Sequence, residues 1–241
     1  MSTPRLHCDQ RLVDAAEVVA TPGQAHYLGG VMRRAVGDAV TLFNAEDGEW
    51  AAVIASLRKD RASFRLGARQ RPPEPMADTR LLLAALKRDA MGWAIEKATE
   101  LGIGMIQPVL TRRSVAERVN GERLSAIARE AAEQCERLSV PAIAPAKPLA
   151  TVLDAWDGAP LLVGAERLAV PPLAQAAADL TPPWGLLIGP EGGFDPLELA
   201  DLRRRTWVRP VNLGPRVLRA ETAAVAALAV LQSLAGDWTP R

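Results

Sequence analysis

Between Gln70 and Asp78 the chain reads QRPPEPMAD, and this stretch limits what the whole can become. Its three prolines in nine residues remove backbone donors and fix φ, so neither a helix nor a sheet runs through it. The signals differ on its two sides. Before it, AVTLF, EWAAVIASL and ASFRLG read as short strands, partly β-branched or aromatic, with NAEDGE as a turn between the first pair. One helix precedes them, with Thr21 as its cap and Pro22 in its first position. After it, RLLLAAL, IGMIQPVL, PLLVG, WGLLIG and WVRPVNLG read as strands that alternate with helices. That alternation predicts a parallel sheet covered by helices on both faces. Two domains are expected, a small β-rich one over residues 1–72 and an α/β one over residues 73–241.

The helices carry apolar stripes. DAMGWAIEKATELG places Met91, Ala94, Ile95, Ala98 and Leu101 on one face, with Gly102 as a stop. GERLSAIAREAAEQCERL aligns Leu124, Ile127, Ala128, Ala131, Cys135 and Leu138. The last helix, ETAAVAALAVLQSL, is apolar nearly all round from Ala223 to Leu231. Such a helix must be buried on most sides, so a partner subunit in a two-fold dimer is expected to cover it; a central core helix is the rival.

Composition closes off some classes. A net charge of +1 is silent about nucleic acid, so the distribution of charge has to carry that question. Cys8 and Cys135 form no Cys-x-x-Cys pair, and His7 beside Cys8 is short of a four-ligand site. No metal is expected, and a reducing compartment suits this cysteine usage. The N-terminal stretch MSTPRLHCDQRLV lacks the apolar core of a signal peptide, and Ala223 to Leu231 is too short to span a membrane. The chain is read as soluble and cytoplasmic, with no membrane partner.

Two loops point to a ligand. LLIGPEGGFDPLEL runs from a strand through Gly-Pro-Glu-Gly-Gly into a helix with a complete start signal. Asp195 caps it, Pro196 takes the first position and Glu198 completes a capping box, with Phe194 and Leu199 placed as a hydrophobic staple. The loop matches neither the P-loop nor the dinucleotide fingerprint. Alone, it fits a tight turn as well as a ligand site. VNLGPRVLRAET, again a Gly-Pro loop between strand and helix, shifts the balance toward one shared pocket at the carboxyl ends of neighbouring strands.

Together these motifs resemble the RsmE-type methyltransferases of the SPOUT superfamily. The resemblance rests on IGPEGGFDPLEL and LGPRVLRAETA, and extends to HYLGGVMRRAVGD, KRDAMGWAIEKATELGI and EQCERLSVPAI, through Gln134, Arg137 and Pro141. Met32 stands for the family's usual leucine, Glu136 for a small residue and Arg112 for an acidic one. The resemblance implies a C-terminal trefoil-knotted SPOUT methyltransferase domain with a parallel sheet, a PUA-like β-barrel before it that binds RNA, and a homodimer. It also implies methylation of uridine N3 in 16S ribosomal RNA, within the small ribosomal subunit, with S-adenosylmethionine as cofactor.

Site residues follow from the same motifs. The resemblance assigns Ile188, Gly189, Gly192 and Gly193, then Leu213, Gly214, Val217 and Leu218, to the cofactor, with Gly164 of LLVGAE as a further member. Six arginines lie between Asp201 and Glu221 without an acid among them: Arg203, Arg204, Arg205, Arg209, Arg216 and Arg219. Arg216 and Arg219 flank the second loop and are the catalytic candidates, to hold a phosphate or stabilise a uridine anion, with Glu221 orienting one of them. Glu191 is a weaker participant, and Arg203 to Arg205 are expected in the exposed last turn of a helix. The RNA-binding candidates are Arg33, Arg34, Lys87, Arg112, Arg113 and Arg137. An RNA-binding factor without activity and a small-molecule α/β enzyme stay open as rivals, the latter weakened by the missing dinucleotide fingerprint.

Overall fold

The computed structural model describes residues 3–115, 118–165 and 169–238. They form two compact units: the first takes the chain up to Met76 together with Ala132–Val140, the second holds Ala77–Ala131 and resumes at Pro141.

The first unit contains β1 (Arg5–His7), β2 (Glu17–Val19), α1 (Pro22–His26), a π-helical turn over Tyr27–Val31, β3 (Ala39–Asn44), β4 (Gly48–Leu57) and β5 (Ala62–Arg71). They make one five-stranded sheet in the order β1-β3-β4-β5-β2, antiparallel except where β1 meets β3. Strand alternation explains its core: Ala62, Phe64 and Leu66 of β5 turn inward and join Val18, Leu42 and Ile54, while Arg65 stays exposed. The cap at α1 forms as the sequence predicts, Thr21 Oγ1 accepting from Gln24 N at 3.2 Å and Gln24 Oε1 from Thr21 N at 3.0 Å. Residues 132–140 complete the unit. Phe43 packs with Ala132 and Leu138, and Arg5 donates to the carbonyls of Ala132 and Arg137, each at 2.8 Å.

The second unit contains β6 (Thr79–Ala84), α2 (Arg88–Glu100), β7 (Met105–Leu110), α3 (Gly121–Gln134, up to Ala131), β8 (Ala142–Ile143), β9 (Lys147–Pro148) and α4 (Leu149–Asp154). It continues with β10 (Leu161–Gly164), α5 (Leu173–Ala176), β11 (Trp184–Ile188), α6 (Pro196–Arg204), β12 (Val208–Val211) and α7 (Ala220–Ala235). The sheet is parallel throughout, ordered β12-β10-β11-β6-β7-β8, with β9 also on β7. The runs Leu81–Leu83 and Leu186–Leu187 are fully buried, as strands covered on both faces require.

One helix departs from the sequence reading. The stripe of α3 does not reach Leu138 as helix. The helix ends at Gln134, Glu136 takes φ +61°, and Cys135 is exposed while Leu138 is buried by non-helical chain. A left-handed residue breaks the helical repeat, so spacing counted through it fails. On α7 the apolar surface divides. Ala224, Ala227, Leu228 and Leu231 are buried, and the helix packs on α2, α5 and β11. Ala226, Leu234 and Ser233 are exposed on the other side. Among the described residues, no helix is long and apolar enough to cross a membrane.

Candidate functional site

The sheet order puts β10 between β11 and β12, and the register sets Val163 beside Leu187 and Gly164 beside Val211. The carboxyl ends of three neighbouring strands therefore open at one place, where ligands bind in sheets of this kind. The chain leaves each of them through a loop, and these loops enclose a cavity of ≈ 680 Å³. That volume suits a nucleoside-sized ligand. Ile188, Gly189, Gly192 and Gly193 line it from the first Gly-Pro loop. Leu213, Gly214, Val217 and Leu218 line it from the second, and Gly164 from the end of β10.

The first loop is a tight turn and a wall at once. Gly193 has φ +67° and donates to the Pro190 carbonyl at 2.9 Å, a conformation that side chains disfavour. A Cβ on Gly189 would stand 3.0 Å from the Phe194 ring, so a side chain there would press on that ring. Phe194 and Leu199 belong to one apolar cluster, as the staple requires. Glu198 Oε2 accepts from Asp195 N at 2.9 Å, and Asp195 Oδ1 accepts from Leu197 N at 3.0 Å. The start of α6 is thereby fixed where the loop ends.

The second loop is held by a residue that the motif comparison passes over. Asn212 Oδ1 accepts from Gly214 N at 3.2 Å, and its Nδ2 donates to the Val170 carbonyl at 2.7 Å. Asn212 also lines the cavity. Its signal was available, since Asn two residues before Gly is the pattern of an Asx turn.

Charged groups stand at the rim. Arg216 is exposed and lines the cavity, and so do Glu191 and Arg113. Arg113 Nη1 donates to the Gly192 carbonyl at 3.1 Å. Arg219 and Glu221 lie just outside the lining: Arg219 caps α7 with its carbonyl accepting from Ala223 N at 2.8 Å, and Glu221 sits in the first turn. Among the described residues, no ion pair joins Glu221 to Arg216 or Arg219. Arg203 and Arg204 do occupy the last turn of α6. Arg205 is bound to Asp154 at 2.6 Å and Asp201 at 2.9 Å, and the hydrogen bond it donates to Asp154 makes it hold its proton more tightly than usual. Arg209 pairs with Asp179 at 2.8 Å, which pulls that carboxyl below its ordinary range.

The RNA-binding candidates fall in both units. Arg33 is exposed with φ +52°, and Arg34 is half-buried beside it after the π-helical turn. Arg137, whose Nη2 donates to Ser139 Oγ at 2.8 Å, also belongs to the first unit. Lys87 is exposed at the start of α2, and Arg112 and Arg113 are exposed in the turn after β7.

Comparison with known proteins agrees with this geometry. Residues 72–232 match the family model described as an RNA methyltransferase domain, and residues 21–67 that of an RNA methyltransferase PUA domain. The chain is 34% identical to ribosomal RNA small subunit methyltransferase E of Rickettsia conorii, over 97% of each protein. It is 32% identical to the Synechocystis protein of the same name, over 91% of this chain and 74% of that one. Its fold superposes with a TM-score of 0.86 on the Neisseria gonorrhoeae ribosomal RNA small subunit methyltransferase E bound to S-adenosyl methionine, at 27% identity, covering 99% of this chain and 100% of that one. A Legionella pneumophila methyltransferase in complex with the same cofactor gives 0.83 at 27% identity, covering 97% and 98%.

Proposed function

The chain belongs to the ribosomal RNA small subunit methyltransferase E family, and on that premise we propose that it transfers a methyl group from S-adenosylmethionine to N3 of one uridine in 16S ribosomal RNA. The observation that carries the reading is the cavity of ≈ 680 Å³ enclosed by both Gly-Pro loops and the end of β10. It has the size for the cofactor, and its glycines leave backbone edges where an adenosine needs close approach. Ile188, Gly189, Gly192, Gly193, Leu213, Gly214, Val217, Leu218 and Gly164 would hold it. The cofactor supplies a methyl group activated on a positive sulfur.

The protein's own share is placement and charge. The target nitrogen lies on a pairing edge, so the uridine must reach the site unpaired or flipped. It must also lose its proton. Arg216 at the cavity rim is positioned to steady the resulting anion or an adjoining phosphate, with Arg219 one turn-start away and Glu221 beside it. Arg33, Arg34 and Arg137 on the first unit, with Lys87, Arg112 and Arg113 on the second, are the phosphate contacts of this reading. In this reading the outward face of α7 meets its counterpart in a homodimer, and the α/β unit carries the family's trefoil knot.

The deciding experiment is transfer of labelled methyl to cytoplasmic small ribosomal subunits lacking the modification, with free RNA alongside and the methylated nucleotide mapped. Label at N3 of a single uridine is expected. Label on another atom, or none while the cofactor binds, would refute the substrate.

A further inference from the structure

The turn after β7 is closed on itself. Ser114 Oγ accepts from Thr111 N at 3.0 Å, and Ser114 N donates to the Thr111 carbonyl at 3.1 Å. The Arg112 N–H leaves this turn and donates to Glu198 Oε1 at 2.8 Å, across 86 residues of sequence. Glu198 Oε2 meanwhile accepts from Asp195 N at 2.9 Å. One half-buried carboxylate thus takes a backbone donor from each of two loops. A second tie lies alongside: Arg113 Nη1 donates to the Gly192 carbonyl, and its stem passes close enough that a Cβ on Gly192 would stand 3.5 Å from Arg113 Cβ.

Helix capping does not account for this. A capping box needs only the oxygen that faces Asp195, and a glutamine serves it equally. The other oxygen is turned toward Arg112 and gives α6 nothing. A carboxylate accepts at both atoms, whereas the amide nitrogen of a glutamine cannot accept.

We infer that Glu198 is a positioning residue for methyl transfer, locking the Arg112–Arg113 turn against the glycine loop so that RNA and cofactor are held by one clipped unit. The inference rests on the methyltransferase reading above. It makes the two ligands favour each other's binding, by the same factor in either order. Cofactor in the cavity steadies the glycine loop, and through Glu198 and Gly192 that loop steadies the arginines offered to RNA.

Glu198→Gln separates the roles. Its single amide oxygen keeps the capping box and loses the bond to Arg112. The variant is expected to melt within about 5 °C of wild type and to bind S-adenosylmethionine within about twofold of wild type. Hydrogen exchange at the Arg112 amide should quicken about tenfold or more, the scale for loss of a charge-assisted bond, while Asp195 is unchanged. kcat/KM for small ribosomal subunits should fall about tenfold through KM, and the cofactor should no longer improve RNA affinity. Glu198→Ala should release both amides and weaken cofactor binding as well. Unchanged exchange at Arg112, or undiminished kcat/KM despite faster exchange, overturns the role. A wild-type protein that binds cofactor yet moves no methyl sinks the reaction and this role together. Wild-type turnover with an unaffected Gln variant sinks the role alone.

Discussion

Arg5 uses its donors on four partners at once: Glu49 at 2.6 Å, the carbonyls of Ala132 and Arg137, each at 2.8 Å, and that of Glu136 at 3.3 Å, with the guanidinium 3.5 Å from the Phe43 ring centroid. Its side chain is only 11% exposed, so removing it strands polar groups in a nearly dry place. Arg5→Met should cost about 2–3 kcal/mol in urea unfolding, and Arg5→Lys should recover only part, because an ammonium lacks the planar fork. The sequence gives no hint of this contact. Arg5 reads as a charge near the N-terminus, and its carbonyl partners are more than a hundred positions away in a segment read as helix. The cysteines differ in the same local manner. Burial pushes the Cys8 thiol up, so less of it is thiolate at neutral pH, whereas Cys135 is exposed. Iodoacetamide followed by mass spectrometry should find Cys135 modified in the native protein and Cys8 modified chiefly in denaturant.

At the scale of elements, legibility follows length and local chemistry. The start of α6 was readable residue by residue, because cap, proline, glutamate and staple all lie within six positions. The strands β3 to β7 and β10 to β12 were readable from their apolar runs. By contrast β1, β2, β8 and β9 are three residues or fewer, too short to show any period. The cavity lining was legible through motifs, yet Asn212 and the place of Arg113 at its wall depend on contacts that only folding makes. The loop itself offers a test. Gly193→Val puts a β-branched residue at φ +67°. Its affinity for S-adenosylmethionine by calorimetry should fall about tenfold or more, with the rest of the fold intact by circular dichroism.

For the whole molecule, alternation of strand and helix foretold a parallel sheet but not its order. Nothing in the run of residues says that β11 enters between β6 and β10. Charge balance is similarly mute at this scale, since +1 overall hides the arginines gathered near the second loop. Contacts to RNA phosphate should show in salt: affinity for small subunits should decline steeply as ionic strength rises, and less steeply in Arg112→Ala. The outward side of α7, where Leu234 is 43% exposed, is the proposed contact with a second copy. Leu234→Glu should shift sedimentation from dimer to monomer, while a wild-type monomer at micromolar concentration would remove the dimer from the account.

The completion of the first unit by residues 132–140 has a consequence for how the protein is made. A ribosome delivers Phe43 early and its cover, Ala132 and Leu138, only after much of the second unit has been translated. Until then a large aromatic ring lacks its cover and the Arg5 guanidinium lacks its carbonyl partners on a nascent chain. A gene cut after the codon for Met76 would encode an unfinished object, one that bares the ring and invites self-association. Any transplant of this module between genes has to carry two pieces of coding sequence and restore both.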